Sequence, residues 1–109
     1  MTKQRIFCDK HEVTLLYDGN QREESMTLLA SEIARIQFDK VTERQFIFLK
    51  VESERIEIKP SKLNYSIIYS KSKAKERFDQ YKLDLEKFAK ENRVTFVNNL
   101  GGTISEDDV

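Results

Sequence analysis

Cys8 and His11 are the only cysteine and the only histidine in the chain, and they stand three residues apart beside Asp9 and Glu12. Thiol, imidazole and carboxylate are the groups from which a nucleophilic pair or a metal centre is assembled. The spacing speaks against both. In a strand or turn, neighbouring side chains point to opposite sides. Asp9, His11 and Glu12 therefore read as a solvated turn, and Cys8 as a small core residue. Carboxylates also occur as neighbours, Glu23 with Glu24 and Glu52 with Glu54. Each pair lies beside a turn or alternates outward on a strand, where solvated surface charge is the ordinary role. Gly101-Gly102 lacks the strand-to-helix setting of a phosphate loop and reads as a linker. No catalytic, metal or cofactor site is expected, and the chain reads as non-enzymatic.

One charge feature is asymmetric: Lys71, Lys73, Lys75 and Arg77. Residues 61–100 hold nine basic and five acidic residues, whereas residues 1–60 hold ten and eleven and the tail adds three acids. The cluster falls at the expected start of a helix, where the macrodipole is already positive. Such a placement lowers helix stability and suits recognition of an anion, a phosphorylated lipid or an acidic partner. The plainer account is a solvated helix face. On a continuous helix, steps of two turn successive members by about 200°, so Lys71 and Lys75 share one face and Lys73 and Arg77 the other.

Composition narrows the classes further. The chain has 109 residues, 39% apolar and 35% charged, with 19 basic and 19 acidic side chains and a net charge of +0. That length suits one domain with a small core and a densely charged surface. Seven Phe and four Tyr supply bulky core material and argue against disorder. Without net positive charge to displace phosphate counterions, nucleic acid is not an expected partner. No long uncharged apolar run exists to form a spanning helix. A lone cysteine makes no disulfide within the chain, and Ile6-Phe7-Cys8 is too short for a signal-peptide core. A cytoplasmic location is expected.

The elements that would position these residues follow from periodicity. Through the first two-thirds the period is near two. Val13, Leu15 and Tyr17 alternate, and Asp18-Gly19-Asn20 is a turn signal. Met26, Leu28 and Ala30 share one face of the next strand. Ile33, Ile36 and Phe38 are spaced by three and then two, which predicts a turn or bulge entering a strand. Asp39 to Arg44 reads as polar and turn-like. Gln45 to Val51 reads as a strand apolar on both faces, and Glu52-Ser53-Glu54 as a hairpin turn. Ile56 and Ile58 point inward up to Pro60, which stops that strand. Tyr65 to Tyr69 follows as a strand. Near Lys71 the period changes: Ala74, Phe78, Tyr81, Leu85 and Phe88 form one helical stripe. Ser72 is the expected N-cap, and Asn92 the expected left-handed end. Val94 to Val97 alternates again. Residues 101–109 read as a flexible acidic tail.

This order of elements resembles the pleckstrin-homology-like fold, over about residues 4 to 92. The stretch Met26-Thr-Leu-Leu-Ala-Ser-Glu-Ile-Ala-Arg-Ile-Gln-Phe38 is similar to the corresponding passage of small bacterial members and of GRAM-type domains. The hairpin Phe46 to Ile58 and the helix Lys73 to Asn92 fall where the resemblance places them. It implies an antiparallel, partly open barrel plugged by a C-terminal helix. The helix has no Trp, which many eukaryotic members carry there. The loop Asp9-Lys10-His11-Glu12 lacks the basic signature of phosphoinositide-binding members.

The expected fold class is thus α+β: an antiparallel meander of six to seven strands forming a partly open barrel, capped by one long C-terminal amphipathic helix. Residues 1–100 form a single domain. The expected function is a non-enzymatic protein-binding or scaffolding module, with an edge strand accepting a partner or a second copy of the chain. The alternative is recognition of anionic lipid or a phosphorylated ligand by Lys71, Lys73, Lys75 and Arg77, which would involve peripheral membrane contact.

Overall fold

The computed structural model describes residues 4–18, 22–44, 46–47 and 49–100. The expected tail, 101–109, and the Gly19-Asn20 part of the first turn signal lie outside the described residues. The described chain is α+β. Seven strands form two sheets: β1 (Arg5–Cys8), β2 (Glu12–Asp18), β3 (Glu23–Leu29), β4 (Ile33–Arg44), β5 (Lys50–Pro60), β6 (Ile67–Ser70) and β7 (Phe96–Asn99). The first sheet has the order β1-β2-β3, and the second the order β6-β5-β4-β7. Between β6 and β7 run a short helix α1 (Lys71–Ala74), a 3-10 turn (Lys75–Arg77) and the main helix α2 (Phe78–Asn92).

The apolar alternation lands inward as expected. Val13 and Leu15 of β2, Leu28 of β3, Ile36 and Phe38 of β4, and Ile56 and Ile58 of β5 are all buried. The predicted bulge entering β4 is present as a register shift between Ile33 and Arg35. Just before it, Glu32 caps the turn that joins the sheets, its carboxylate accepting the Leu29 N–H at 2.8 Å. The helix stripe is buried as a unit, with Phe78, Tyr81, Leu85 and Phe88 packed into the core formed by both sheets.

Four readings need correction. First, the six strands before the helix are antiparallel but do not form one meander, since β3 does not pair with β4 and the chain passes there from the first sheet to the second; β7 comes after the helix and pairs with β4 in parallel, Ile36 opposite Phe96 through Asp39 opposite Asn99. A helix of 15 residues between them makes the long crossover that a parallel pairing requires. Second, the helix is not one 20-residue rod. Lys75 at φ 57°, ψ −129° breaks it after Ala74. Ser70 takes the N-cap position, and Arg93 rather than Asn92 is left-handed. Third, β6 begins at Ile67, so Tyr65 lies outside it and is exposed.

The fourth concerns the central hairpin. Asp39 to Arg44 is strand rather than turn, as is Glu52-Ser53-Glu54, and of the expected strand Gln45 to Val51 the described Phe46, Ile47 and Leu49 lie outside both strands, which end at Arg44 and begin at Lys50. The core sets this register. Phe38 pairs with Ile56 and Ile36 with Ile58, so that both strands bury their apolar residues on one face. Each step outward from Phe38↔Ile56 takes one residue from each strand, and the strands then meet around residue 47. A slip of one residue would turn the isoleucines to solvent.

Candidate functional site

The register has a consequence for the surface. β7 pairs with β4 only from Ile36 to Asp39, and β6 pairs with β5 only from Arg55 to Ile58. Beyond Asp39↔Arg55, β4 and β5 continue for five further residue pairs, Lys40↔Glu54 to Arg44↔Lys50. Among the described residues no other strand pairs with this part. It is a two-stranded arm about 17 Å long at ~3.4 Å per residue. At its tip, Phe46 is 70% exposed, Ile47 78% and Leu49 45%. Large apolar side chains gathered this way on a monomer's surface mark a contact site rather than a core.

The two faces of the arm differ. Lys40, Thr42 and Arg44 share the parity of Ile36 and Phe38, and Lys50, Glu52 and Glu54 that of Ile56 and Ile58. This face is the one towards the helix: Lys82 of α2 donates to Glu54 Oε1 at 2.7 Å. Lys82 also meets Asp79 at 3.3 Å. Burial alone would pull the Lys82 ammonium down, but these two carboxylates outweigh it and hold it above its ordinary value. Past Glu54 the face carries Glu52 and then, opposite one another at the outer end, Arg44 and Lys50, all exposed. Like charges directly opposite destabilise a ribbon.

Beside the base of the arm, between α2 and the end of β7, lies a shallow groove of about 280 Å³ floored by Phe38, Leu83 and Leu100. Asp79 and Glu86 stand on its rim. Leu83 is 62% exposed there.

The residues singled out by the sequence lie elsewhere. Lys71, Lys73, Lys75 and Arg77 are all exposed, on α1 and the 3-10 turn. The break at Lys75 removes the continuous helix on which their faces were assigned. Of the four, Lys73 lines a surface depression of about 550 Å³, together with Tyr17, Asp18, Glu24 and Tyr65. Two carboxylates in that depression work against an anion there.

Cys8 and His11 have separate surroundings. Burial, and then the charge of Asp84, pushes the Cys8 thiol up to about 12. A thiol held protonated at neutral pH is a poor nucleophile. His11 Nδ1 lies 3.1 Å from Asn92 Oδ1, and the Asn92 amide donates to the carbonyls of Lys10 and Phe88 at 2.9 and 3.0 Å. This ties the β1–β2 turn to the end of α2, which is a structural use of both residues. Among the described residues no group of three or more His, Cys, Asp or Glu converges as metal ligands do. No described helix is long and apolar enough to cross a membrane.

Sequence reasoning missed the arm because Phe46 to Leu49 has the composition of a buried strand. The signal available was the pair of matched alternations, Ile36/Phe38 and Ile56/Ile58. Aligned with each other, they place the turn on the apolar run itself. Comparison of the chain with family models, with curated proteins and with solved structures returns no match.

Proposed function

We propose that the chain is a non-enzymatic protein-binding module on a pleckstrin-homology-like, partly open barrel, and that the β4–β5 arm is its contact element. Six antiparallel strands in two sheets followed by a core-filling helix support the fold reading. The seventh strand, added in parallel after the helix, is the departure from it. The observation that carries the function is the apolar tip, with Phe46 and Ile47 more than two-thirds exposed on a ribbon with which no other strand pairs among the described residues. Aromatic and aliphatic anchors of this kind supply most of the energy of protein interfaces. The Cys8 thiol, held protonated, accords with a non-enzymatic role.

The test is capture from the lysate of the source cells on the immobilised chain. The double variant Phe46→Ser, Ile47→Ser should lose the captured protein, and the surface control Glu91→Ala should keep it. Equal capture by both variants would contradict the proposal.

A second reading rests on the exposure of Lys71, Lys73, Lys75 and Arg77: recognition of anionic lipid or a phosphorylated ligand. Binding to phosphatidylserine vesicles that weakens steeply with salt, and is lost in Lys71→Glu with Lys75→Glu, would favour it.

A further inference from the structure

We propose that the partner of the arm is a second copy of this chain, in a two-fold dimer where each arm tip enters the groove between α2 and β7 of the other copy. The inference rests on the arm being the contact element. It adds the identity of what the arm meets.

Three observations lead there. The tip and the groove are both apolar and both uncovered, Phe46 and Ile47 on one and Leu83 on the other. A volume of about 280 Å³ has room for an aromatic side chain. They also lie at opposite ends of one face. The groove adjoins the base of the arm, where Lys82 bonds Glu54, and the tip lies about 17 Å farther out at ~3.4 Å per residue. A projection and its socket at the two ends of one face are satisfied together when two copies lie antiparallel. Both contacts then form at once, and the assembly closes as a dimer instead of growing into a filament.

The third observation is charge. Along the helix-side face of the arm the sign changes from base to tip. Lys40 and Glu54 face each other at the base with Glu52 next to them, and the neighbouring groove carries Asp79, Glu86 and Lys82, so that four acids stand there against two cations, whereas Arg44 and Lys50 stand together at the tip. Antiparallel alignment sets the cations of each tip against the acids at the other's base. It also relieves the Arg44–Lys50 repulsion within each arm. A bilayer fits this pattern poorly. Glu43 and then Glu52 follow the Arg44–Lys50 pair behind the tip, and the net charge of +0 gives no general attraction to anionic lipid.

The test is sedimentation of the purified full chain and of two charge-reversed variants, each checked for folding by circular dichroism. One carries Arg44→Glu with Lys50→Glu, and the other Asp79→Lys with Glu86→Lys. The wild type should dimerise. Each variant alone sets like charges together at both contacts and should bind itself at least about tenfold more weakly. Mixed in equal amounts, they match opposite charges at both contacts and should recover the dimer. A monomeric wild type, or a dimer indifferent to both variants, would overturn the inference. So would binding of the wild-type monomer, through its tip, to phosphatidylserine vesicles. Failure here is distinct from failure of the proposed function. If the chain is monomeric yet Phe46→Ser with Ile47→Ser loses a captured protein, the arm binds something other than itself.

Discussion

The hydroxyl of Tyr69 lies 2.8 Å from the carbonyl oxygen of Leu16 and joins the two sheets at that point. The same hydroxyl lies 2.9 Å from the carbonyl of Arg5, and Arg5 and Leu16 face each other across β1 and β2. Tyr69 is fully buried on β6, and burial pushes its phenol above the ordinary range. Gln4 reinforces the junction by donating to the Ile68 carbonyl at 3.2 Å. Tyr69→Phe keeps the packing and leaves buried acceptors without their donor, so it should lower stability by about 1–3 kcal/mol. Chemical denaturation checks this, with an unchanged slope and a shifted midpoint as the expected result.

The helix should be as important as the sheet junction. Phe78 and Leu85 are fully buried. Phe78→Ala should destabilise by ~3–5 kcal/mol and Leu85→Ala by ~2–5 kcal/mol, out of a total of ~5–15 kcal/mol. Lys82 sits between them in sequence but is also half-buried against Glu54. Lys82→Ala should therefore register a loss of up to ~1 kcal/mol rather than none. Thermal melts of the three variants decide. Equal effects would mean that the helix is not docked by its stripe.

Much of this was legible in the sequence, and the reason is local. The steps Phe78, Tyr81, Leu85, Phe88 can only be one helical face, and Ile56-Glu57-Ile58 can only be a half-buried strand. The bulge before Ile36 was likewise written in the change of spacing from three to two. The hairpin turn was not legible from its own residues. Phe46 to Leu49 has the intrinsic preference of a strand, and only its pairing context, set by Phe38 and Ile56, makes it a tip. The parallel addition of β7 depends on the path of the chain after Arg93 and has no local signature. The basic run Lys71 to Arg77 was legible as exposed, but the break at Lys75 was not, because lysine has no preference for that backbone conformation.

Acid should loosen the β4–β7 contact. A hydrogen bond from the Asn99 amide, at 2.9 Å, holds the Asp39 carboxyl below its usual range, helped by Gln37 and then by Arg55 and Arg35 and opposed by burial. A depressed folded-state value means that Asp39 contributes stability above the unfolded carboxylate value of ~3.9, and that this is lost as pH falls through the lower folded value. Asp39→Asn should therefore flatten the acid limb of the stability–pH curve and leave its shape unchanged above about pH 5. Denaturation across pH 2–7 tests it (range set by the carboxylates); an identical acid limb in both proteins would refute the assignment.

Cys8 should react slowly. With its thiol pushed up to about 12, the thiolate fraction near pH 8 is far below that of an ordinary cysteine. Alkylation by iodoacetamide in the native state should be at least about a hundredfold slower than in the denatured state. Comparable rates would show that the thiol is neither buried nor held protonated.

The most direct test of the arm and its contact is a dilution series of backbone amide spectra on the wild-type chain. Signals from the arm, Lys40 to Glu54, and from Asp79 to Glu86 should shift together along one binding curve as concentration rises, while those of β3 stay fixed. Spectra independent of concentration, or shifts confined to β3 or to Lys71–Arg77, would contradict the account.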